Sequence, residues 1–177
     1  MLAGLSYDAS DPLLLQQRMR AKKVCHQFNL ADPTLVEQRM GHLTDLINFS
    51  GMAHMEATFF CDYGYNINIG KNFYANHNLI IIDVCRVDIG DNVMFGPNVM
   101  ISTATHPIDP IERLKTEYGV PISIGNNVWL GANVAVLPGV KIADNCVIGA
   151  GSVVNRDIPE NSVAVGNPCR VIKKVTS

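Results

Sequence analysis

Charged residues are scarce in this sequence, and neither sign dominates. Asp, Glu, Lys and Arg together make up 17% of the 177 residues, and the formal net charge is −2. This balance gives no reason to expect attraction to nucleic acid or to acidic membranes, so an anionic ligand must be held by local cations. With 47% apolar residues, the chain is predicted to form one globular domain with a real core.

Long apolar runs and paired cysteines are also missing. The longest apolar runs, such as NLIII and NVAVLPGV, are far shorter than a membrane-spanning helix, and no charged-then-apolar signal peptide opens the chain. The five cysteines lie far apart without a CxxC, which favours buried free thiols over disulfides or a zinc knuckle. We therefore expect a cytoplasmic protein.

Two segments near the start have the pattern of helices. Each opens with Asp-Pro, at Asp11 and at Asp32, and proline suits the first position of a helix. The segments PLLLQQRMRAKKVCHQFN and PTLVEQRMGHLTDLINF are predicted to be two packed helices joined by NLAD. In the second segment four apolar residues fall on one helical face: Val36, Met40, Leu43 and Ile47.

A six-residue repeat dominates the chain after Gly51. In the C-terminal part, apolar residues recur six apart without a miss at Ile124, Leu130, Val136, Ile142, Ile148 and Val154. Neither a helix nor a two-faced strand has this period. The repeat fits a solenoid in which each hexad forms one short strand and one corner, and three hexads close a triangular turn. Gly, Asn or Asp at the corners tolerates positive φ.

The repeat is lost between Ile101 and Ile124. The segment STATHPIDPIERLKTEYGVP fills this interval, and long loops in compact folds are usually functional. His106 lies at the start of the excursion, next to Pro107, where a rigid scaffold can hold it. A histidine with a near-neutral pKa is well suited to take a proton from an attacking hydroxyl.

The hexads occur together with four motifs, CDYGYNINIGKNFYAN, TATHPIDP, ISIGNNVWLG and VGNPCRVIKK. This combination resembles the hexapeptide-repeat acetyltransferases, in particular the sugar O-acetyltransferases of the maltose, galactoside and nodulation type. The resemblance covers nearly the whole chain, including the AGLSYDASDP opening. It implies a mainly β fold, a left-handed parallel β-helix with an N-terminal helical cap and a protruding loop. The expected regions are a cap over 1–50, a β-helix over 51–165 with its loop at about 102–122, and a tail over 166–177.

The resemblance also implies a reaction. An acetyl group would pass directly from acetyl-CoA to a sugar hydroxyl, with His106 as the general base and no metal. The backbone N–H of Ala132 would stabilise the oxyanion. The family more often has Thr-Lys where this chain has Asn155 and Arg156, so the charge is kept and the hydroxyl is lost. The implied coenzyme A residues are Ala132, Ala150, Asn155, Arg156, Arg170, Lys173 and Trp129. For Trp129, simple packing at a subunit contact is the open alternative.

For the sugar acceptor, the resemblance points to carboxylates, an amide, a cation and an aromatic ring. These residues are Asp8, Arg18, Asp62, Tyr74, Asn76, Asp83 and Glu117. For Asp62 the alternative is a structural corner residue that does not contact the acceptor. His77 follows Asn76, and its contribution to acceptor choice is open. Because the groups are spread along a narrow prism, we expect a homotrimer with sites between subunits.

Three alternatives to a sugar O-acetyltransferase differ in what they require. An acetyltransferase acting on an amino sugar, an antibiotic or another small hydroxyl or amine acceptor would have the same scaffold. A non-catalytic solenoid would have no use for His106. A zinc carbonic anhydrase would need three histidines, and the sequence has only His77 and His106 in this region. The physiological acceptor and the acetylated hydroxyl are not specified by any residue type here.

Overall fold

Short strands account for most of the computed structural model, which describes residues 1–175. Two α-helices come first, α1 (Pro12–Leu30) and α2 (Val36–Gly41), and a 3-10 helix spans Glu112–Leu114. The strands in chain order are β1 (Asn48–Phe49), β2 (Ala53–Met55), β3 (Phe59–Cys61), β4 (Ile67–Ile69), β5 (Phe73–Ala75), β6 (Leu79–Ile82), β7 (Val87–Ile89), β8 (Met94–Phe95), β9 (Met100–Ser102), β10 (Ala104–Thr105), β11 (Tyr118–Gly119), β12 (Ile122–Ile124), β13 (Trp129–Leu130), β14 (Ala135–Val136), β15 (Lys141–Ile142), β16 (Val147–Ile148), β17 (Val153–Val154), β18 (Ser162–Val165) and β19 (Arg170–Lys174).

The strands stack into three sheets that form the faces of a prism. The first face contains β1, β4, β7, β12 and β15 in that order, the second β2, β5, β8, β13, β16, β18 and β19, and the third β3, β6, β9, β14 and β17. Pairing is parallel throughout, apart from β18 with β19 and the small hairpin of β10 with β11. Apart from these two antiparallel pairs, consecutive strands belong to different faces. The parallel β-helix predicted from the hexads is confirmed.

An asparagine ladder marks the corner between the first and second faces. Its five members have φ between 54 and 58°, in the left-handed region that asparagine tolerates. They are Asn72, Asn92, Asn127, Asn145 and Asn161. Each side-chain amide donates to the next asparagine at 2.9 to 3.1 Å, with sequence steps of 20, 35, 18 and 16 residues. The corner chemistry expected from the sequence is thus confirmed.

These steps explain why the early hexads are irregular. The coils before the loop have 20 residues, two more than three hexads, whereas the coil after it has 18. The additional residues lie between the third and first faces, because Ile81 and Ile89 are eight apart where Val136 and Ile142 are six apart. The long loop leaves the prism at the same corner, which we call the loop corner.

The first helix forms as the sequence predicts. The Asp11 carboxylate accepts hydrogen bonds from the N–H groups of Leu13 and Leu14, at 2.8 and 3.2 Å, and Pro12 occupies the first helical position. One face of α1 packs against β3 and covers the open end of the prism, where Cys25 and Phe28 are buried.

The second predicted helix is wrong in length and start. Only Val36–Gly41 is α-helical, because Asp32 uses its carboxylate in a local turn, accepting from the N–H and hydroxyl of Thr34 at 2.8 and 2.7 Å. After α2 the chain continues in turns, and Leu43 and Ile47 are still buried under the cap. The apolar pattern therefore reflects packing of an irregular segment.

The interior is apolar and contains the cysteines. All five cysteines are buried and free, as predicted, and the Sγ atoms of Cys25 and Cys61 are 3.8 Å apart. At the other end of the prism, β19 turns back along β18. Within residues 1–175, no helix combines the length and apolar character needed to cross a membrane.

Candidate functional site

His106 lies at the root of the loop, directly after β10. The hairpin of β10 with β11 closes the base of the excursion, so the histidine stands on ordered backbone. Its side chain is 49% exposed, and its Nε2 is 3.7 Å from Oε2 of Glu117. A half-exposed imidazole beside a carboxylate is accessible to a ligand and can accept a proton from that ligand.

The N-terminal segment crosses the base of this loop. Tyr7 and Glu117 exchange two backbone hydrogen bonds, at 2.9 and 3.1 Å, and the Tyr7 hydroxyl donates to Oε1 of Glu117. Burial raises the pKa of Tyr7 well above its ordinary value, and the adjoining carboxylate raises it further. Tyr7 was missed as a site residue because a single tyrosine in AGLSYDASDP has no periodicity or spacing that marks a role.

A cleft of about 280 Å³ opens beside His106. Three predicted residues line it, Asp8, His106 and Glu117, together with the loop cations Arg113 and Lys115. The Asp8 carboxylate is exposed and accepts from the hydroxyl and N–H of Ser10, which lower its pKa. An ionised carboxylate, an imidazole and cations in one cleft suit a ligand with many hydroxyl groups.

Arg18 and Asp62 complete this group of residues. The Arg18 guanidinium donates to the Tyr63 hydroxyl at 2.7 Å and to the Ala9 carbonyl at 2.5 Å, so it supports the segment that carries Asp8. Burial raises the pKa of Asp62, the Arg18 charge opposes that rise, and the Glu117 carboxylate adds to it. The structure thus brings together Asp8, Arg18, Asp62, His106 and Glu117 at the loop corner.

Asp83 does not fit the expectation of an acceptor contact. It is fully buried, and its two oxygens accept from the N–H groups of Asp62, Tyr63 and Gly64 at 3.0, 2.9 and 2.6 Å. The carboxylate is therefore already engaged by the turn that presents Asp62. Asp83 lies at the loop corner, where the 20-residue coil has two residues more than three hexads. From this buried position it stabilises the backbone of the loop corner.

Burial of Asp83 makes stability depend on pH. Burial raises its pKa from 3.8 to about 7, although the three N–H groups oppose the rise. Because the folded pKa exceeds the unfolded value, the proton stabilises the fold fully below about pH 4, and this contribution is lost as the pH rises to about 7. The full shift corresponds to about 4 kcal/mol.

We expect the free energy of unfolding to fall between pH 5 and pH 8 in the wild type, and Asp83→Asn to remove most of that slope. Urea denaturation at fixed protein concentration measures it. Equal slopes in the two proteins would contradict this origin.

The remaining predicted acceptor residues lie on the second face and at its corner with the third face. Tyr74 projects from β5 and stacks on His54, with ring centroids 5.7 Å apart. Asn76 follows β5, and its side-chain oxygen accepts from the backbone N–H of His77 at 2.8 Å. The exposed His77 ring donates from Nδ1 to the Ala57 carbonyl at 2.6 Å. We call this corner the glycine corner, after the glycines that follow the second-face strands.

Two predicted coenzyme A residues lie farther along the glycine corner. An added Cβ on Gly96 would be 2.7 Å from the nitrogen of Ala132, and one on Gly131 would be 2.7 Å from the nitrogen of Ala150. These glycines let the coils stack closely without covering either amide. Among residues 1–175, the N–H of Ala132 has no hydrogen-bond acceptor, which leaves it available to a ligand. Trp129, 50% exposed, lies on the adjoining second face.

The predicted cations gather at the C-terminal end. Arg170 on β19 donates to the Asn155 side chain at 3.3 Å, and Arg156 follows Asn155 on the exposed surface after β17. Lys173 is also exposed on β19. These groups suit phosphates, because guanidinium and ammonium groups form charge-assisted hydrogen bonds with them. Within residues 1–175, no group of three or more His, Cys, Asp or Glu side chains is placed to hold a metal ion.

The predicted residues therefore fall into two groups on opposite edges of the third face. His106 and its carboxylates are at the loop corner, whereas Tyr74, Asn76 and Ala132 are at or beside the glycine corner. The third-face strands separate the corners, and β6 has four residues at about 3.3 Å each. No hydrogen bond among the described residues joins the two groups. One chain thus presents two partial candidate sites.

Two family models match the chain. Residues 1–49 match the maltose acetyltransferase hexapeptide capping motif, and residues 121–156 match the bacterial transferase hexapeptide model with six repeats. A putative acetyltransferase of Saccharomyces cerevisiae is 51% identical, over 99% of this chain and 91% of the relative. The galactoside O-acetyltransferase of Escherichia coli is 48% identical, over 92% of this chain and 81% of that protein.

Solved structures show the same similarity. A maltose O-acetyltransferase from Clostridium difficile superposes with a TM-score of 0.97 at 51% identity, covering 99% of this chain and 95% of that one. A galactoside acetyltransferase in complex with coenzyme A superposes with a TM-score of 0.95 at 44% identity, covering 98% and 88%. On its capping motif, its hexads and these relatives, the chain belongs to the hexapeptide-repeat acetyltransferase family, in the branch of the maltose and galactoside O-acetyltransferases.

Proposed function

We propose that this protein transfers an acetyl group from acetyl-CoA to a hydroxyl of a sugar of the maltose, glucose or galactoside type. The observation that carries the proposal is His106, which stands half-exposed in a cleft beside Asp8 and Glu117. Relatives named for maltose and galactoside O-acetylation, at 51% and 48% identity, support the acceptor class. Carboxylates and cations in the cleft supply hydrogen-bond partners for a polyhydroxyl ligand.

In the proposed reaction, His106 takes the proton of the acceptor hydroxyl as its oxygen attacks the thioester carbonyl. The new C–O bond forms, and the carbonyl oxygen becomes an oxyanion that accepts from the free N–H of Ala132. When the intermediate collapses, the C–S bond breaks and the coenzyme A sulfur leaves with the proton from the imidazolium. All five cysteines are buried, which suits direct transfer from the thioester.

We further propose that the active enzyme is a homotrimer with each site between two subunits. One row of outward residues that runs the length of the third face is entirely apolar: Phe60, Ile80, Met100, Ala135 and Val153. The first face instead presents Asn68, Asp88, Ser123 and Lys141. Burying the apolar face between copies would place the loop corner of one subunit near the glycine corner of its neighbour, which joins the two partial sites.

The acceptor class is tested with a panel of compounds. Purified protein is incubated with acetyl-CoA and glucose, maltose, thiogalactosides, amino sugars or an aminoglycoside antibiotic, and released thiol is measured. We expect transfer to the neutral sugars, with an acetyl ester as the product. Activity confined to the amines would contradict the O-acetyltransferase assignment and favour the amine acceptor.

Arg170 provides a test of the coenzyme A site. We expect Arg170→Ala to weaken coenzyme A binding about tenfold, because a charge-assisted hydrogen bond to phosphate is lost. Isothermal titration calorimetry with coenzyme A alone measures this loss. Lys141→Ala, which removes a cation from the polar first face, is the matched control and should bind as the wild type does. Equal affinity in Arg170→Ala would remove Arg170 from the site.

A further inference from the structure

We infer that Tyr7 is a positioning residue for the reaction, because its hydroxyl holds the Glu117 carboxylate beside His106. The inference depends on the proposed role of His106 as general base. Tyr7 and Glu117 are 110 positions apart, yet three hydrogen bonds join them. Two of these are backbone bonds in an antiparallel bridge, which places the side chains as direct neighbours.

The position of the Glu117 carboxylate is not fixed by His106. The 3.7 Å between Oε2 of Glu117 and Nε2 of His106 exceeds a hydrogen-bond length. Among residues 1–175, the Tyr7 hydroxyl is the one hydrogen-bond donor to the Glu117 side chain. It binds Oε1, so the other oxygen stays directed toward the imidazole. Without the hydroxyl, the side chain would be free to rotate about its χ angles.

Charge explains why this orientation affects catalysis. When His106 accepts the acceptor proton it becomes an imidazolium, and a carboxylate about 4 Å away stabilises that charge in a partly desolvated site. Glu117 is suited to this because its side chain is only 17% exposed. The Glu117 carboxylate also lies near the carboxylate of Asp62. Without the Tyr7 hydroxyl as a donor, repulsion between the two carboxylates would displace the Glu117 side chain. The Tyr7 hydroxyl is protonated at neutral pH, as tyrosine hydroxyls ordinarily are, and its raised pKa extends its role as a donor to more alkaline conditions.

Tyr7→Phe removes only the hydroxyl and keeps the ring. We expect kcat for acetyl transfer to fall about fivefold to tenfold, with the KM for acetyl-CoA unchanged, because one hydrogen bond to a charged group is lost. Tyr65→Phe is the matched control. It loses a hydroxyl that donates to Gln17 at 2.8 Å, away from the cleft, and should retain the wild-type rate.

A double-mutant cycle separates positioning from general damage. In a Glu117→Leu background the carboxylate is absent, so Tyr7→Phe should have less than a twofold further effect on kcat. A full fivefold to tenfold loss in that background would overturn the inference, since Tyr7 would then act independently of Glu117. A wild-type rate in Tyr7→Phe alone would also overturn it.

A second readout needs no acceptor. In protein with nitrogen-15 in its histidine rings, Tyr7→Phe and Glu117→Leu should both shift the His106 ring signals, and Tyr65→Phe should not. Unmoved His106 signals in Tyr7→Phe would contradict the positioning role. If the signals respond as expected while the wild type acetylates no sugar, the positioning role stands and the proposed acceptor class is wrong.

Discussion

Replacing His106 by alanine is expected to lower acetyl transfer about 10³-fold, within the range that a positioned general base contributes. The alanine variant leaves no group at this point to take the proton of the attacking hydroxyl. Steady-state rates of thiol release with a neutral sugar measure the effect. Because His106 is half-exposed and outside the core, the fold should be unaffected.

Two controls make this result specific to proton transfer. Binding of coenzyme A and the thermal unfolding midpoint should match the wild type in His106→Ala. His26→Ala, which removes an exposed histidine from α1, should retain full activity. If His106→Ala transferred acetyl groups at the wild-type rate, the direct-transfer mechanism and its general base would both be wrong.

Mixing two inactive variants should restore activity if each site is shared between subunits. His106→Ala damages the loop corner and Asn76→Ala damages the glycine corner, so each variant alone should be nearly inactive. In trimers assembled at random from equal amounts of the two variants, a site is intact when one subunit supplies an unchanged His106 and its neighbour supplies an unchanged Asn76. This arrangement occurs in about a quarter of the sites.

The matched control combines two variants of the same corner. His106→Ala mixed with Glu117→Leu should show no activity beyond the residual activity of the two variants measured separately, because both residues come from one subunit and no subunit has both intact. The measurement is specific activity after co-expression and purification of the mixed trimers. Equal recovery in the two mixtures, or none with Asn76→Ala, would contradict the shared site.

The fold could be predicted from the sequence because its main features are local and repetitive. An apolar residue every six positions fixes strand and corner directly, and Asn127 occupies the left-handed corner that the pattern predicts. The long loop was visible for the same reason, as a gap in a regular series. The predicted start of the second helix is wrong because the Asp32 side chain forms a turn that competes with helix initiation. The spacing of apolar residues does not show which of the two conformations forms.

The candidate site was only partly predictable. His106 was recognised because it combines a position at the root of the loop with a family motif. The resemblance places Asp83 among the acceptor residues, because a sequence motif does not distinguish an exposed carboxylate from one buried under three backbone N–H groups. Tyr7 was missed because its partner, Glu117, is 110 residues away. Contacts of that range appear only when the prism, the loop and the N-terminal segment are assembled.

Single-turnover transfer of labelled acetyl-CoA tests the central claim most directly. Enzyme in excess is mixed with acetyl-labelled acetyl-CoA and a neutral sugar, the reaction is quenched at successive times, and the label is located in thioester, sugar ester or protein. We predict that the label passes from the thioester to the sugar ester without appearing on the protein at any time. If the label appeared on the protein before it appeared on the sugar, or stayed in acetyl-CoA with every sugar, direct transfer from the thioester to the sugar with His106 as general base would be contradicted.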